Sequence, residues 1–122
     1  MRVCKAFTFD AAHYLPSYEG KCQNLHGHTW KLEVEVSSDR LIQEGSEAGM
    51  VVDFAKVKDV VSRRVIDQLD HTLLNDILPN PTCENLLDWM WDNLEAWVAG
   101  LSCELVRLRL YETPDSFAEK VK

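Results

Sequence analysis

Apolar and polar positions alternate strictly from Trp30 to Val36. Trp30, Leu32, Val34 and Val36 fall on one face, and Lys31, Glu33 and Glu35 on the other. A period of two is that of a half-buried strand. Residues 2–9 carry a weaker version of the same pattern, with Phe7 and Phe9 sharing a face. Residues 37–49 are polar and glycine-bearing, which predicts a loop. Asp53 then stands as an N-cap before Phe54, Val57, Val61 and Val65, an apolar stripe at helical spacing. After a loop through Asn80-Pro81, Thr82 caps a second helix, and Glu84 in its first turn suits the helix dipole. That helix carries Leu87, Met90, Trp91, Leu94 and Val98 on its apolar side and ends near Gly100. Alternation returns with Val106, Leu108 and Leu110 facing away from Arg107, Arg109 and Tyr111, and a weaker strand spans residues 117–121. The order ββααββ predicts an α+β fold: a four-stranded antiparallel sheet with two helices packed on one face.

Composition narrows the class. A chain of 122 residues, 46% apolar and 27% charged, makes a single domain over residues 1–122 with a real core. No apolar run is long enough to span a bilayer, and the N-terminus leads straight into patterned sequence, so a cytoplasmic protein without a membrane partner is expected. The formal net charge of −7, with Lys and Arg scattered, argues against a nucleic-acid surface. Four cysteines (Cys4, Cys22, Cys83, Cys103) without a secretion signal are expected as reduced thiols. Cys4 and Cys103 lie in strand-like stretches, where cysteine acts as a small hydrophobe, and Cys83 at a helix start reads as filler.

All four histidines stand in conspicuous places. His26-Gly27-His28 leads into the second strand, and residues two apart on an extended chain face the same side, with Gly27 leaving room between the rings. His13 closes Phe9-Asp10-Ala11-Ala12-His13 at the end of strand one, so a hairpin of the two strands brings three imidazoles to one end of the sheet. Three histidines suit Zn²⁺ with a fourth position open, the arrangement of a catalytic site; the tripeptide without His13 reads as a polar turn. Cys22, four positions before His26, is either a fourth ligand that closes the ion or a thiolate base beside it. Asp70-His71 after the first helix is either a surface turn or a carboxylate-oriented acid–base pair. Glu112 continues the parity of Leu108 and Leu110, so it either breaks out to solvent or faces a polar ligand with two parallel N–H donors.

In their order and spacing these pieces resemble the 6-pyruvoyltetrahydropterin synthase family over nearly the whole chain, from Phe7-Thr8-Phe9-Asp10-Ala11-Ala12-His13 to Tyr111-Glu112-Thr113. The three residues between Cys22 and His26 are most similar to the bacterial branch that forms 6-carboxytetrahydropterin in queuosine biosynthesis; the pyruvoyl-forming animal branch has a longer gap. A folate-precursor branch places a glutamate in this loop, but Glu19 lies three positions ahead of Cys22. The resemblance implies the tunnelling fold, assembled as a homo-oligomer, a hexamer of two trimers, with active sites between subunits. It implies zinc on His13, His26 and His28, catalysis by Cys22, Asp70 and His71, and pterin anchoring by Glu112 with Thr82 as a second contact. Cys83 departs from the Thr or Ser of other members.

The implied reaction is that of a zinc-dependent lyase converting 7,8-dihydroneopterin triphosphate to 6-carboxytetrahydropterin, acetaldehyde and triphosphate. Two other outcomes stand beside it: pyruvoyl- or folate-precursor-forming chemistry on the same site, and a non-catalytic zinc module closed by Cys22 and the three histidines.

Overall fold

Strands β1 (Arg2–His13) and β2 (His26–Ser37) pair antiparallel along their full length, with Phe9 opposite Trp30 and His13 opposite His26, in a computed structural model covering residues 1–122. The alternation of β2 sends Trp30, Leu32, Val34 and Val36 into the core, each at most 1% exposed. β1 runs past the weak pattern of residues 2–9 to His13, because β2 offers it a partner for every backbone group as far as His26.

Asp53 caps α1 (Phe54–Val61), its carboxylate accepting from the Ala55 N–H at 2.8 Å. The helix continues through a π-helical stretch (Ser62–Ile66) into a last turn, α2 (Asp67–Leu69). Thr82 caps α3 (Cys83–Ala99), its hydroxyl accepting from Asn85 N–H at 3.1 Å. The buried face of α3 includes the expected residues and adds Cys83 and Leu86. These helices and the inner face of the sheet enclose one continuous core in which Val61, Val65, Leu86, Met90, Leu94 and Leu108 have no exposed surface.

The sheet differs from the expected four antiparallel strands. It has five strands in the order β3-β1-β2-β4-β5 and is mixed. β4 (Glu104–Thr113) and β5 (Ser116–Val121) continue it antiparallel on one side. On the other side β3 (Thr72–Leu73) lies parallel to Ala11 and Ala12. Two residues carry no periodicity, so β3 leaves no trace in a hydropathy pattern; it forms because β1 is longer than its apolar stretch. A second correction concerns β4. The ladder with β2 shifts between Glu35 and Val36, so Leu105, not Val106, faces the core at 2% exposure. A bulge adds one residue and reverses the parity on its far side. Cys103 is buried as expected, but Cys4 is exposed on the outer face of β1, near Arg107.

Candidate active site

The antiparallel register of β1 and β2 places His13 opposite His26 and Ala11 opposite His28. All three histidines have the parity of the buried residues on their strands, so their rings gather on the inner face at one end of the sheet. Ring centroids lie 4.6 Å apart for His13 and His26, 4.8 Å for His26 and His28, and 5.2 Å for His13 and His28. Trp30 backs the cluster edge-on to His13 and His28, and its indole N–H donates to Ala11 O at 3.2 Å. Gly27 has less to do than expected: a Cβ there would meet only Ala11 O, at an ordinary 3.8 Å.

Backbone carbonyls set the ring tautomers. In the neutral rings His13 Nδ1–H donates to Pro81 O at 2.9 Å and His26 Nδ1–H donates to Asn24 O at 2.7 Å. Each bond leaves Nε2 as the lone-pair nitrogen, the outer-shell arrangement of metal-binding histidines. The Nε2 atoms of His13, His26 and His28 are all buried without a hydrogen-bond partner. Three convergent orphan nitrogens are costly unless something electropositive sits among them. Burial also holds His28 below the ordinary histidine range, against the upward pull of Glu112, which keeps its ring neutral at neutral pH. The donor set therefore fits a borderline metal such as zinc.

Glu112 arrives from β4 beside the irregularity between Tyr111 and Thr113. Its Oε1 lies 3.3 Å from His13 Nε2 and 3.2 Å from His28 Nε2. One donor atom from each of His13, His26, His28 and Glu112 lies within 4.8 Å of every other. Cys22, in a short 3₁₀ turn (Lys21–Gln23), is not a member of that group.

A second group forms on the cleft side of the sheet from Asp10, Asp70 and His71. Asp70 Oδ1 accepts from Asp10 N–H at 2.9 Å and lies 3.0 Å from His71 Nδ1. The Asp10 backbone N–H, followed by His71, holds the Asp70 carboxyl below the usual carboxylate range. His71 N–H donates to Asp10 O at 2.6 Å, and His71 takes a left-handed backbone at φ 60°. A non-glycine residue is kept there only when its surroundings over-determine it. His28, Thr29, Asp10 and His71 line one open cleft of about 560 Å³. Of the histidine cluster, His28 reaches this cleft, and His71 lines it from the other side.

The sequence signature of the family described as 6-pyruvoyl tetrahydropterin synthase matches residues 2–121. The chain belongs to that family. Membership makes it an enzyme of the lyase class. It is similar to the 6-carboxy-5,6,7,8-tetrahydropterin synthase of Synechocystis sp., 48% identical over 102 residues, covering 81% of this chain and 79% of that one. It is also similar to the dihydroneopterin monophosphate aldolase of Pyrococcus furiosus, 39% identical over 91% of this chain and 89% of that one. Among solved structures, the 6-pyruvoyl tetrahydropterin synthase of Caenorhabditis elegans superposes with a TM-score of 0.82 at 27% identity, covering 100% of this chain and 95% of that one. No helix is long and apolar enough to cross a membrane.

Sequence reasoning about this synthase fold overlooked Asp10, whose backbone holds the Asp70-His71 pair from both sides. The only signal was its polar character within Phe9-Asp10-Ala11-Ala12-His13. It also could not foresee the two carbonyls, Asn24 O and Pro81 O, that orient the rings. Thr82, expected as a substrate contact, uses its hydroxyl as a cap on α3. Cys83, expected as filler, is buried, and its thiol donates to Leu110 O at 3.1 Å; burial pushes its pKa up to about 11.

Proposed function

We propose that this protein is a zinc-dependent lyase converting 7,8-dihydroneopterin triphosphate, with one water, to 6-carboxytetrahydropterin, acetaldehyde and triphosphate, in the 7-deazaguanine branch that leads to queuosine. The observation that supports it most is the convergence of three buried Nε2 atoms, those of His13, His26 and His28, none with a hydrogen-bond partner; His28 also lines the cleft that holds His71. In this reading the three histidines hold one Zn²⁺ per subunit. When bound, the ion supplies Lewis acidity toward side-chain oxygens of the substrate and so acidifies the adjacent C–H.

The chain's own groups do the rest. Asp70, ionised well into acid and fixed by the Asp10 N–H, orients His71 through Nδ1. His71, with its side chain 77% exposed, is free to exchange a proton at Nε2 with a substrate carbon. Cys22, standing outside the donor group, is the base for the second carbon. Glu112 offers a carboxylate to the two parallel N–H donors of the pterin's amino-pyrimidine edge. The Thr82 hydroxyl keeps its own proton while capping α3 and can donate it to the ring. No hydride carrier is required, because the dihydro ring is reduced as its own side chain is oxidised.

Cys22 joins neither donor group within the subunit. An active site shared between subunits of a hexamer, two trimers, would complete the set. The exposed edge strand β5, with Phe117 and Val121 about half exposed, supports such assembly. Four free thiols fit the reducing cytoplasm.

The kinship with a dihydroneopterin monophosphate aldolase carries a second reading, cleavage of the side chain without ring reduction. Mass spectrometry of the products from zinc-loaded protein and 7,8-dihydroneopterin triphosphate separates the two. Carboxytetrahydropterin with trapped acetaldehyde supports the first. A hydroxymethyl or pyruvoyl pterin moves the enzyme to a sister chemistry, and no turnover leaves a zinc-binding module.

A further inference from the structure

Glu112 is placed strangely for a group whose sole task is to hold a substrate ring. Its Oε1 faces His13 Nε2 at 3.3 Å and His28 Nε2 at 3.2 Å. His13 Nδ1–H is committed to Pro81 O, so the neutral ring presents a lone pair to a carboxylate oxygen. Two acceptors at that distance repel unless a cation lies between them. At His13 a proton does not serve: its Nδ1–H is committed to Pro81 O, and no hydrogen bond closes between its Nε2 and Glu112. A metal does. Ligands on a tetrahedral ion with bonds of roughly 2.0–2.1 Å are separated by about 3.3–3.4 Å. That is the spacing the carboxylate keeps from both rings.

The other side of Glu112 is open. The residue is partly exposed, with 29% of its side chain accessible, and it borders a small cleft formed with Cys83, Phe117 and Ala118. The ladder irregularity beside it leaves its strand end freer to re-aim the side chain than a regular ladder would.

Resting on the assignment of the metal to the three histidines, we propose that Glu112 is the fourth metal ligand of the substrate-free enzyme and that the substrate displaces it. At rest the carboxylate closes the ion as a histidine-three, glutamate-one site. A ring with two parallel N–H donors competes for the same carboxylate, draws it away, and frees the coordination position that the substrate side chain takes. Recognition of the ring and opening of the metal are then one event. Molecules with a matching side chain but no such edge leave the site closed.

The test uses the full-length protein loaded with Co²⁺ as a spectroscopic stand-in for Zn²⁺, with metal affinity measured by chelator competition. Glu112→Ala, with Glu112→Gln as the isosteric control for folding, is expected to lower metal affinity by about tenfold or more. It should also shift the visible bands of the cobalt protein. Adding neopterin, which carries the ring edge but no triphosphate, should produce a shift in the wild type that is absent in Glu112→Ala. Unchanged affinity and bands in both Glu112 variants would overturn the proposal, as would a wild-type spectrum indifferent to neopterin. His26→Ala is the independent check on the underlying assignment. If it retains full metal affinity, the histidine site itself is wrong, whatever Glu112 does.

Discussion

The backbone N–H of Asp10 donates to Asp70 Oδ1 at 2.9 Å, the same oxygen that stands 3.0 Å from His71 Nδ1. One carboxylate oxygen therefore joins β1 to His71, and the link has a pH signature. Asp70 is held below its ordinary value of 3.8, first by the Asp10 N–H and then by His71. A depressed carboxylate contributes stability that is fully present above its unfolded pKa and is lost as pH falls through the folded one. Asp70→Asn should therefore melt below the wild type at pH 5–7. The gap should close as pH drops under 3.8, read from thermal unfolding of both proteins across that range.

The same substitution should reduce turnover by about 10²-fold, because an amide neither stabilises a protonated His71 nor fixes its tautomer. Product formation at saturating substrate checks this. An intact rate with the expected stability loss would leave Asp70 a structural residue.

Cys22→Ala should keep full metal content and lose about 10²–10⁴ of turnover, the range of a removed acid–base group. Cys22 lies outside the set of donors gathered by the histidines and Glu112. Elemental analysis beside the rate assay decides it: loss of metal along with activity would return Cys22 to the ligand set.

Much of this was legible in the sequence, for identifiable reasons. The strict alternation of Trp30, Leu32, Val34 and Val36 gave β2 and its buried face, and the spacing of His26 and His28 then followed from strand geometry. Asp53 and Thr82 announced their helices because a cap acts on residues two or three ahead. What was hidden has a common cause. β3 is two residues pairing with the extended end of β1, and Leu105 faces the core only because a bulge shifts the register with β2. Asp10 acts on Asp70 and His71 through its backbone amide and carbonyl, which are the same for every residue type except proline. Hydropathy and side-chain chemistry carry no record of a backbone contact between residues 60 positions apart.

Thr82 is a cap on the helix that follows the His13 anchor, since Pro81 supplies the carbonyl for His13 Nδ1. Thr82→Ala should cost about 0.5–2 kcal/mol. For a domain of this size that lowers the melting temperature by roughly 2–8 °C. If the hydroxyl also touches the ring, KM rises in Thr82→Ala and returns in Thr82→Ser, which restores both the cap and the donor. A change in melting alone would confine Thr82 to capping.

The buried Nε2 lone pairs make a final claim about metal removal. Each unsatisfied nitrogen costs about 1–3 kcal/mol in the metal-free protein, a penalty that binding an ion removes. Chelation should therefore lower the melting temperature, and zinc should raise it with concentration, by about 2.7 kcal/mol at a hundredfold excess over Kd. His28 sharpens the argument, because no carbonyl is engaged by its Nδ1 as Pro81 O is by His13 and Asn24 O by His26. His28→Leu removes one orphan nitrogen without stranding a carbonyl, so without metal it should be at least as stable as the wild type. With zinc present the wild type should rise and the variant should not. A variant that melts below the wild type under chelator would show that His28 is held for packing, and parallel zinc responses would remove it from the ligand set.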